Sequence, residues 1–177
     1  YDGAPSYATR RHFMELQWLP GNIASGWIRD TTADYGEVVI MEREVDESLW
    51  KNWAGRANFA HTDEQLPVGT MRLSVLPLEQ AIAAAPAIRP GSVIAAVRED
   101  RSYKPIWITH VGFVFEGEAD GARTLRHATR MKKSRRVRDH DLVWYLNLLG
   151  TYKNWKVAGI AIFEPIEAGP RLEETEG

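Results

Sequence analysis

Residues 106–129 read IWITHVGFVFEGEADGARTLRHAT, and this stretch decides the fold that we predict. From Ile106 to Phe115, apolar residues occupy both alternating faces, which indicates a strand inside a sheet. Residues 117–121 supply turn residues, and residues 122–129 form a second candidate strand. The stretch therefore predicts an antiparallel hairpin whose first strand is central.

Each strand of this hairpin carries one histidine, His110 or His127. Their midpoint coincides with the centre of the turn residues 117–120, so a hairpin without a bulge places them directly opposite each other. Directly opposite residues share a face of the sheet, with Cβ atoms about 4.5–5.5 Å apart. A slip of one residue would instead send one histidine to the other face.

Two facing histidines have three interpretations. They are structural residues with backbone or water partners, ligands of a metal ion, or an acid/base dyad in which one ring orients the other. A catalytic zinc normally takes three protein ligands, and no HxH or HxxxH motif supplies the third. The dyad needs a nucleophile, and Ser74 and Ser92 both lack the G-x-S-x-G motif. We could place no partner for His61 or His140 and predict that both are surface residues.

Proline, glycine and capping residues bound the other elements that we predict. Helices are expected at 10–18, 46–53, 77–85 and 140–149, the last one capped by Asp139. Strands are expected at 37–41, 68–76, 92–97 and 156–163. Helices and strands intermix, which is typical of an α+β domain. We predict a single domain over residues 1–168 and a disordered acidic tail at 169–177.

The composition narrows the possible functions. The chain has 177 residues, is 44% hydrophobic and has a net charge of −2, which indicates one soluble globular domain. No apolar run approaches the roughly 18 residues of a membrane-spanning helix, so no membrane span is predicted. The sequence contains no cysteine, which excludes disulfides, thiolate metal sites and a cysteine nucleophile within these residues. We expect no metal and no other cofactor.

A basic run at residues 130–138 (RMKKSRRVR) holds six of the 22 Lys and Arg residues. It is interpreted either as a solvated turn and strand edge or as an anion contact, for example to nucleic acid. The run contains no aromatic residues that could stack on bases. The rest of the chain has 16 basic and 24 acidic residues, so it is net negative. We therefore predict no nucleic-acid partner.

Three segments follow in an order that resembles NlpC-type cysteine peptidases and amidases, which have a papain-like fold. They are RPGSVI (89–94), THVGF (109–113) and LRHAT (125–129). The N-terminal part is similar to one branch of that superfamily, the N-acetylmuramoyl-L-alanine amidase-like proteins. The similar segments are YDG (1–3), RHF (11–13), WLPGN (18–22) and DTT (30–32). The resemblance extends from Tyr1 to Pro165.

The resemblance implies a papain-like α+β fold with a central antiparallel sheet packed by helices. It also implies a Cys-His-His triad, with His110 as general base and His127 as the residue that orients it. In the family, the cysteine lies on a helix upstream of the Tyr-Asp-Gly segment. Because the sequence begins at Tyr1, we expect that this nucleophile helix is missing, that the chain alone is inactive, and that it can associate with the missing segment.

The implied substrates are muropeptides, or peptidoglycan fragments, cleaved between N-acetylmuramic acid (or its anhydro form) and L-alanine. Trp18 and Trp107 are candidates to stack on a sugar ring or, alternatively, to pack in the core. Arg11 and His12 are candidates to reach glycan or peptide carboxylates or, alternatively, ordinary surface residues. The resemblance places a bacterial protein in the periplasm or cell envelope, or outside the cell. The alternative function is a catalytically inactive muropeptide-binding or cell-wall interaction module of the same fold.

Overall fold

The computed structural model describes Tyr7, residues 10–129 and residues 135–167. Eight strands form one sheet: β1 (Ile28–Asp30), β2 (Val39–Val45), β3 (Gly69–Pro77), β4 (Val93–Arg98), β5 (Ile108–Glu116), β6 (Arg123–Thr129), β7 (Arg136–Asp141) and β8 (Val157–Pro165). The α-helices are α1 (Leu19–Ala24), α2 (Glu47–Asn52), α3 (Leu78–Ala84) and α4 (Leu142–Gly150). A π-helical turn spans Met14–Trp18, and 3₁₀ turns span Thr32–Tyr35, Ala54–Asn58, Asp63–Gln65 and Ala85–Ala87.

The strands lie in the order β2-β3-β8-β4-β5-β6-β7, and β1 pairs with β8 outside this path. Every strand pairing within the described residues is antiparallel. The predicted α+β class with a central antiparallel sheet is therefore confirmed. In the described part of the chain, no helix is both long and apolar enough to cross a membrane.

The two faces of the sheet bury separate cores, because successive residues of a strand point to opposite sides. On β4, Val93 and Val97 pack on one side with Phe13 and Trp50, while Ile94 packs on the other side. The second side is covered by α3 and α4, whose buried residues are Ala81, Leu142, Tyr145, Leu146 and Leu149. We call it the α4 face.

The N-terminal helix differs from the prediction. Instead of ending before Pro20, the π-helical turn continues directly into α1, which ends at Ala24. Pro20 lies at the junction of the π-helical turn and α1, where it cannot donate a backbone hydrogen bond to the preceding turn but does not end the helical segment.

The C-terminal helix also begins later than predicted. Asp141, not Asp139, caps α4 and accepts a hydrogen bond from the Trp144 amide at 2.7 Å. The residues before it form β7, an edge strand that we did not predict. The part of the basic run that belongs to β7, 136–138, thus lies at a strand edge. Residues 130–134 of that run, the tail at 169–177 and the segment 1–3 lie outside the described residues.

The predicted hairpin forms, but its register differs from the prediction. Phe113 pairs with Arg126 and Glu116 pairs with Arg123, an offset of two residues from the symmetric alignment. Because the offset is even, His110 and His127 stay on one face, although they are not directly opposite. A Cβ at Gly112 would come within 2.7 Å of Leu125 Cδ1 and 3.0 Å of the Arg126 carbonyl oxygen, so a side chain there would require the neighbouring strand to shift.

One face of β5 is less covered than its apolar sequence indicates. The strand has neighbours on both edges, as predicted for a central strand. On the face opposite α4, however, Val111, Phe113 and Phe115 are 37%, 54% and 41% exposed. Val114 is buried on the α4 face, whereas the opposite face of β5 is buried only at Ile108, where the strand begins.

The cap assignment leads to a stability prediction. Asp141→Ala removes the acceptor for the Trp144 amide, so we expect the free energy of unfolding to fall by about 1 kcal/mol. Asp141→Asn keeps an oxygen acceptor and serves as the matched control, with little loss. Asp139→Ala, which removes an exposed ion pair with Arg126, should cost less. Urea unfolding measures all three, and a larger loss for Asp139→Ala than for Asp141→Ala would contradict the assignment.

Candidate active site

His110 and His127 meet on the α4 face of the sheet. His110 Nε2 lies 2.5 Å from His127 Nδ1, and the two rings are nearly perpendicular, at 86°. If the hairpin register is extended by one residue, His127 faces Gly112, so the two histidines are diagonal neighbours. Diagonal pairs on one face are within reach of long or aromatic side chains. The bond engages Nε2 of His110 and leaves its Nδ1 without a hydrogen bond among the described residues.

A third histidine extends this pair, contrary to our prediction that His140 lies on the surface without a partner. His127 Nε2 lies 2.8 Å from His140 Nδ1. His140 comes from β7, where Arg138 is the residue that faces His127, so this contact is also diagonal. The three rings form a continuous hydrogen-bonded line that crosses three strands. They do not converge on a common point, and no group of three or more metal-binding side chains occurs in the described ranges.

His110 and His127 border a cavity of about 520 Å³ between the sheet and α4, and His140 is not part of its lining. Tyr145 of α4 packs its ring 5.0 Å from His127 and 6.0 Å from His110. Arg98, at the end of β4, and Tyr152, after α4, also line the cavity. His127 is only 4% exposed, whereas His110 is partly exposed in the cavity. The arrangement thus offers one accessible imidazole supported by a buried one.

Burial determines the charge state of the histidine pair. Burial lowers the pKa of His110, and the nearby positive charge of Arg98 lowers it further. Burial lowers the pKa of His127 to about 4, and the neighbouring imidazoles of His110 and His140 contribute in the same direction. Both rings are therefore neutral near pH 7, as required of a general base and its hydrogen-bond acceptor.

Three predicted substrate contacts lie apart from this cavity. Arg11 is exposed and lies over Gly21. His12 bonds the Tyr7 carbonyl oxygen at 2.6 Å and packs its ring against His61. Trp18 lines a different groove of about 510 Å³ beside Val111 and Phe113, and His127 also contributes to the lining of that groove. The structure places none of these three residues in the cavity at His110, and their roles in substrate binding stay predictions.

The prediction that Trp107 can stack on a sugar needs correction. Its ring is 1% exposed, and its Nε1 donates to Asp100 at 2.6 Å, so it offers no face to a ligand. Its backbone amide donates to the buried Glu15 carboxylate at 2.6 Å, and the Ile108 amide bonds the same oxygen. Trp107 is therefore a core residue that helps to hold the start of β5.

His61 is also buried rather than exposed. It is 4% exposed, and its ring lies 5.6 Å from Phe13 and 4.6 Å from His12. Neither ring nitrogen has a hydrogen-bond partner, and burial lowers the pKa of His61. This aromatic cluster is separate from the residues that line the cavity at His110.

Two residues near the histidine pair, Arg98 and His140, were not predicted, although local patterns could have indicated them. Arg98 follows Ile94 and Ala96 at alternating positions, and Ala96 pairs with His110, so Arg98 belongs on the histidine face. His140 and Arg138 lie on the same face of β7, but we assigned His140 to the start of a helix and therefore did not consider a strand there. Tyr145 belongs to the helix predicted at 140–149, and it is 5% exposed on the α4 face.

Comparison with known proteins identifies the family. The model of the N-acetylmuramoyl-L-alanine amidase-like family matches residues 1–150. The chain belongs to this family. No curated protein matches the chain in sequence.

Solved structures share the fold of this amidase-like chain. A Legionella pneumophila protein of the DUF1460 family has a TM-score of 0.72 and 16% identity, covering 93% of this chain and 64% of its own. An N-acetylmuramoyl-L-alanine amidase from Bacteroides uniformis has a TM-score of 0.63 and 19% identity, covering 93% and 68%. A Bacteroides fragilis protein provisionally described as a xylanase has a TM-score of 0.60 and 17% identity, covering 92% and 69%.

These identities are low, so the likenesses show the fold alone. The chain spans 64% of the length of the Legionella protein and about two thirds of the other two. The family assignment rests on the family model, and the structural neighbours add the fold alone.

The buried imidazole leads to a prediction about pH. Because the pKa of His127 is about 4 when folded and about 6.5 when unfolded, the unfolded chain binds more protons between these values. The contribution of His127 to stability is therefore complete above about pH 6.5 and is lost as the pH falls toward 4.

NMR titration of the His127 ring protons should give a midpoint near pH 4, and urea unfolding should show falling stability between pH 6.5 and 4. In His127→Gln, this pH dependence should be reduced. A His127 midpoint near 6.5 would contradict the buried, neutral assignment.

Proposed function

We propose that this protein hydrolyses the amide between N-acetylmuramic acid, including its anhydro form, and L-alanine in muropeptides. The observation that supports the proposal best is the oriented imidazole of His110, whose Nε2 is bonded to His127 while Nδ1 is left to exchange a proton. The amidase-like family match adds the substrate class. Because the substrate belongs to the bacterial wall, we also propose a location in the periplasm or cell envelope, or outside the cell.

The nucleophile in this proposal is a cysteine thiolate supplied by a helix outside these 177 residues, which contain no cysteine. A thiolate is the reactive form of cysteine, and an adjacent imidazole stabilises it by taking its proton. His110 can take this proton on Nδ1, because its Nε2–H then donates to His127 Nδ1. The complete triad is Cys-His-His in a papain-like arrangement, with His127 as the residue that orients the base.

The reaction then proceeds in two stages. The thiolate attacks the lactyl carbonyl carbon, and His110 gives the Nδ1 proton to the alanine nitrogen as the C–N bond breaks. The L-alanyl peptide leaves, and the muramoyl group remains as a thioester. Water attacks the thioester carbonyl while His110 takes one of its protons. The C–S bond then breaks, the muramic acid product dissociates, and the thiolate–imidazolium pair is regenerated.

His140 acts in this proposal as a positioning residue. For His110 to donate through Nε2–H, His127 must present an unprotonated Nδ1 and therefore carry its proton on Nε2. His140 Nδ1, at 2.8 Å, is placed to accept that proton in a hydrogen bond. The line of histidines thus selects the tautomer of His127 that His110 needs.

The absence of cysteine in these residues also supports a second candidate, a muropeptide-binding module without catalysis. The coding sequence upstream of Tyr1 separates the two candidates. A cysteine encoded there supports the amidase, and its absence supports the binding module.

The triad leads to an activity prediction for the protein extended to include its cysteine. His110→Ala should lower kcat/KM for muropeptide hydrolysis by about 10²–10⁴-fold, because it removes the general base and acid. His127→Asn keeps an oxygen acceptor for His110 Nε2 and should lose less activity than His127→Ala.

His61→Leu serves as the matched histidine control, because His61 is buried in a separate aromatic cluster, and its activity should be unchanged. Release of the L-alanyl peptide, followed by mass spectrometry, measures each variant. Undiminished turnover in His110→Ala, or no turnover by the extended protein with its cysteine intact, would contradict the amidase proposal.

The positioning role of His140 leads to a prediction about the pH profile. His140→Phe removes the acceptor for His127 Nε2–H and should lower kcat by about threefold to tenfold, the effect of one hydrogen bond. His127 then accepts less strongly from His110, so the acidic limb of the pH–rate profile should move to lower pH.

His140→Asn retains an acceptor and should restore both values in part. A fall in kcat without any shift of the acidic limb would show that His140 serves only to stabilise the fold.

A further inference from the structure

Arg98 occupies the wall of the cavity that contains His110. It ends β4, where Ala96 pairs with His110, and both Ala96 and Arg98 line the cavity. Its charge is close enough to lower the pKa of His110 and to act on Tyr145 as well. The guanidinium therefore lies within the same space that a substrate of His110 would enter.

Three contacts hold the Arg98 side chain in place. Nε donates to Thr109 Oγ1 at 2.9 Å, and Nη1 donates to the Trp155 carbonyl oxygen at 2.6 Å. The guanidinium carbon also lies 4.5 Å from the centre of the Tyr152 ring, a cation–π distance. A guanidinium that is fixed in this way loses little conformational entropy when it binds a ligand.

The charge of Arg98 has no acidic partner among the described residues. Its neighbours differ in this respect, because Arg101 pairs with Glu99 at 3.2 Å and Arg43 pairs with Asp100 at 2.8 Å. Nη2 of Arg98 has no hydrogen-bond acceptor in the same part of the chain, although Nε and Nη1 are both engaged. An unpaired guanidinium that lines a cavity is suited to a carboxylate.

Aromatic rings and a second cation surround Arg98. Lys104 Nζ lies 4.2 Å from the centre of the Trp155 ring, and Tyr152 is 45% exposed beside the cavity. The chain as a whole has a net charge of −2, so this positive, aromatic rim is a local feature.

We propose that Arg98, with Tyr152 beside it, forms a carboxylate-binding subsite that recognises an acidic group in the peptide of the muropeptide. This inference rests on the proposed function and adds the recognition of peptide charge. Nη2 donates to the carboxylate, while Thr109 and the Trp155 carbonyl keep the guanidinium oriented. The subsite makes the protein selective for acidic over amidated peptides.

The test compares two ligands that differ only in charge. They are N-acetylmuramoyl-L-alanyl-D-glutamate and the same molecule with both glutamate carboxyls converted to amides. Calorimetry measures their affinity for the chain, and the NMR signals of His110 and His127 report whether the ligand enters the cavity. The acid should bind about tenfold or more tightly than the diamide, as expected for a hydrogen bond between charged groups.

Arg98→Gln should reduce the affinity for the acid to that for the diamide and leave the diamide unaffected. Arg72→Gln is the matched control. Arg72 lies on β3 and forms an exposed ion pair with Glu42 on β2, so this variant also removes one positive charge but should preserve the preference for the acid over the diamide. Because a variant can misfold, the salt dependence of binding is also measured on the unsubstituted protein. Raising NaCl from about 20 to about 300 mM should weaken binding of the acid but not of the diamide.

The outcomes separate this inference from the proposed function. If both ligands shift the His110 signal and bind equally, the carboxylate subsite is wrong while the muropeptide cavity stands. Equal salt responses of the two ligands, or loss of the preference in Arg72→Gln, would also overturn the subsite. If neither ligand binds, the muropeptide proposal fails and this inference fails with it.

Discussion

The hydrogen bond between His110 Nε2 and His127 Nδ1 depends on the register of two neighbouring strands and, in turn, orients both rings. An even offset in the hairpin keeps the histidines on one face, and the absence of a side chain at Gly112 lets the strands approach closely. Burial on the α4 face keeps His127 neutral, so it can act as an acceptor. The ability of the histidine pair to act in acid–base chemistry thus follows from strand geometry together with desolvation.

The start of β5 is fixed from the other side of the sheet. Glu15, in the N-terminal π-helical turn, is 5% exposed and accepts the backbone amides of Trp107 and Ile108. These amides lie where the pairing of β4 with β5 shifts register, between Ala96 and Val97. A buried carboxylate that satisfies displaced amides makes such an irregularity tolerable. The position of His110, two residues later, therefore depends on the N-terminal segment as well as on the sheet.

The sequence was sufficient to predict the hairpin, the shared face of His110 and His127, and the strand at 92–97 that becomes β4. It was not sufficient to predict the register of β5 and β6. The register depends on the length of the turn, and the turn-forming residues between the strands are compatible with more than one length. The partner of His140 was missed because both Asp139 and Asp141 are good helix caps, and choosing the first one concealed β7. Trp107 was misassigned because an aromatic residue beside a catalytic candidate has the same sequence signature whether it is buried or exposed.

The most direct test of the account is the tautomer of His110 in the folded protein near pH 7, measured from the ¹⁵N chemical shifts of its imidazole ring. The account predicts a proton on Nε2, donated to His127, and an unprotonated Nδ1 that faces the cavity. His127 should likewise carry its proton on Nε2, toward His140. A neutral His110 with its proton on Nδ1 would contradict the account, because that ring could not take a proton from a nucleophile through Nδ1.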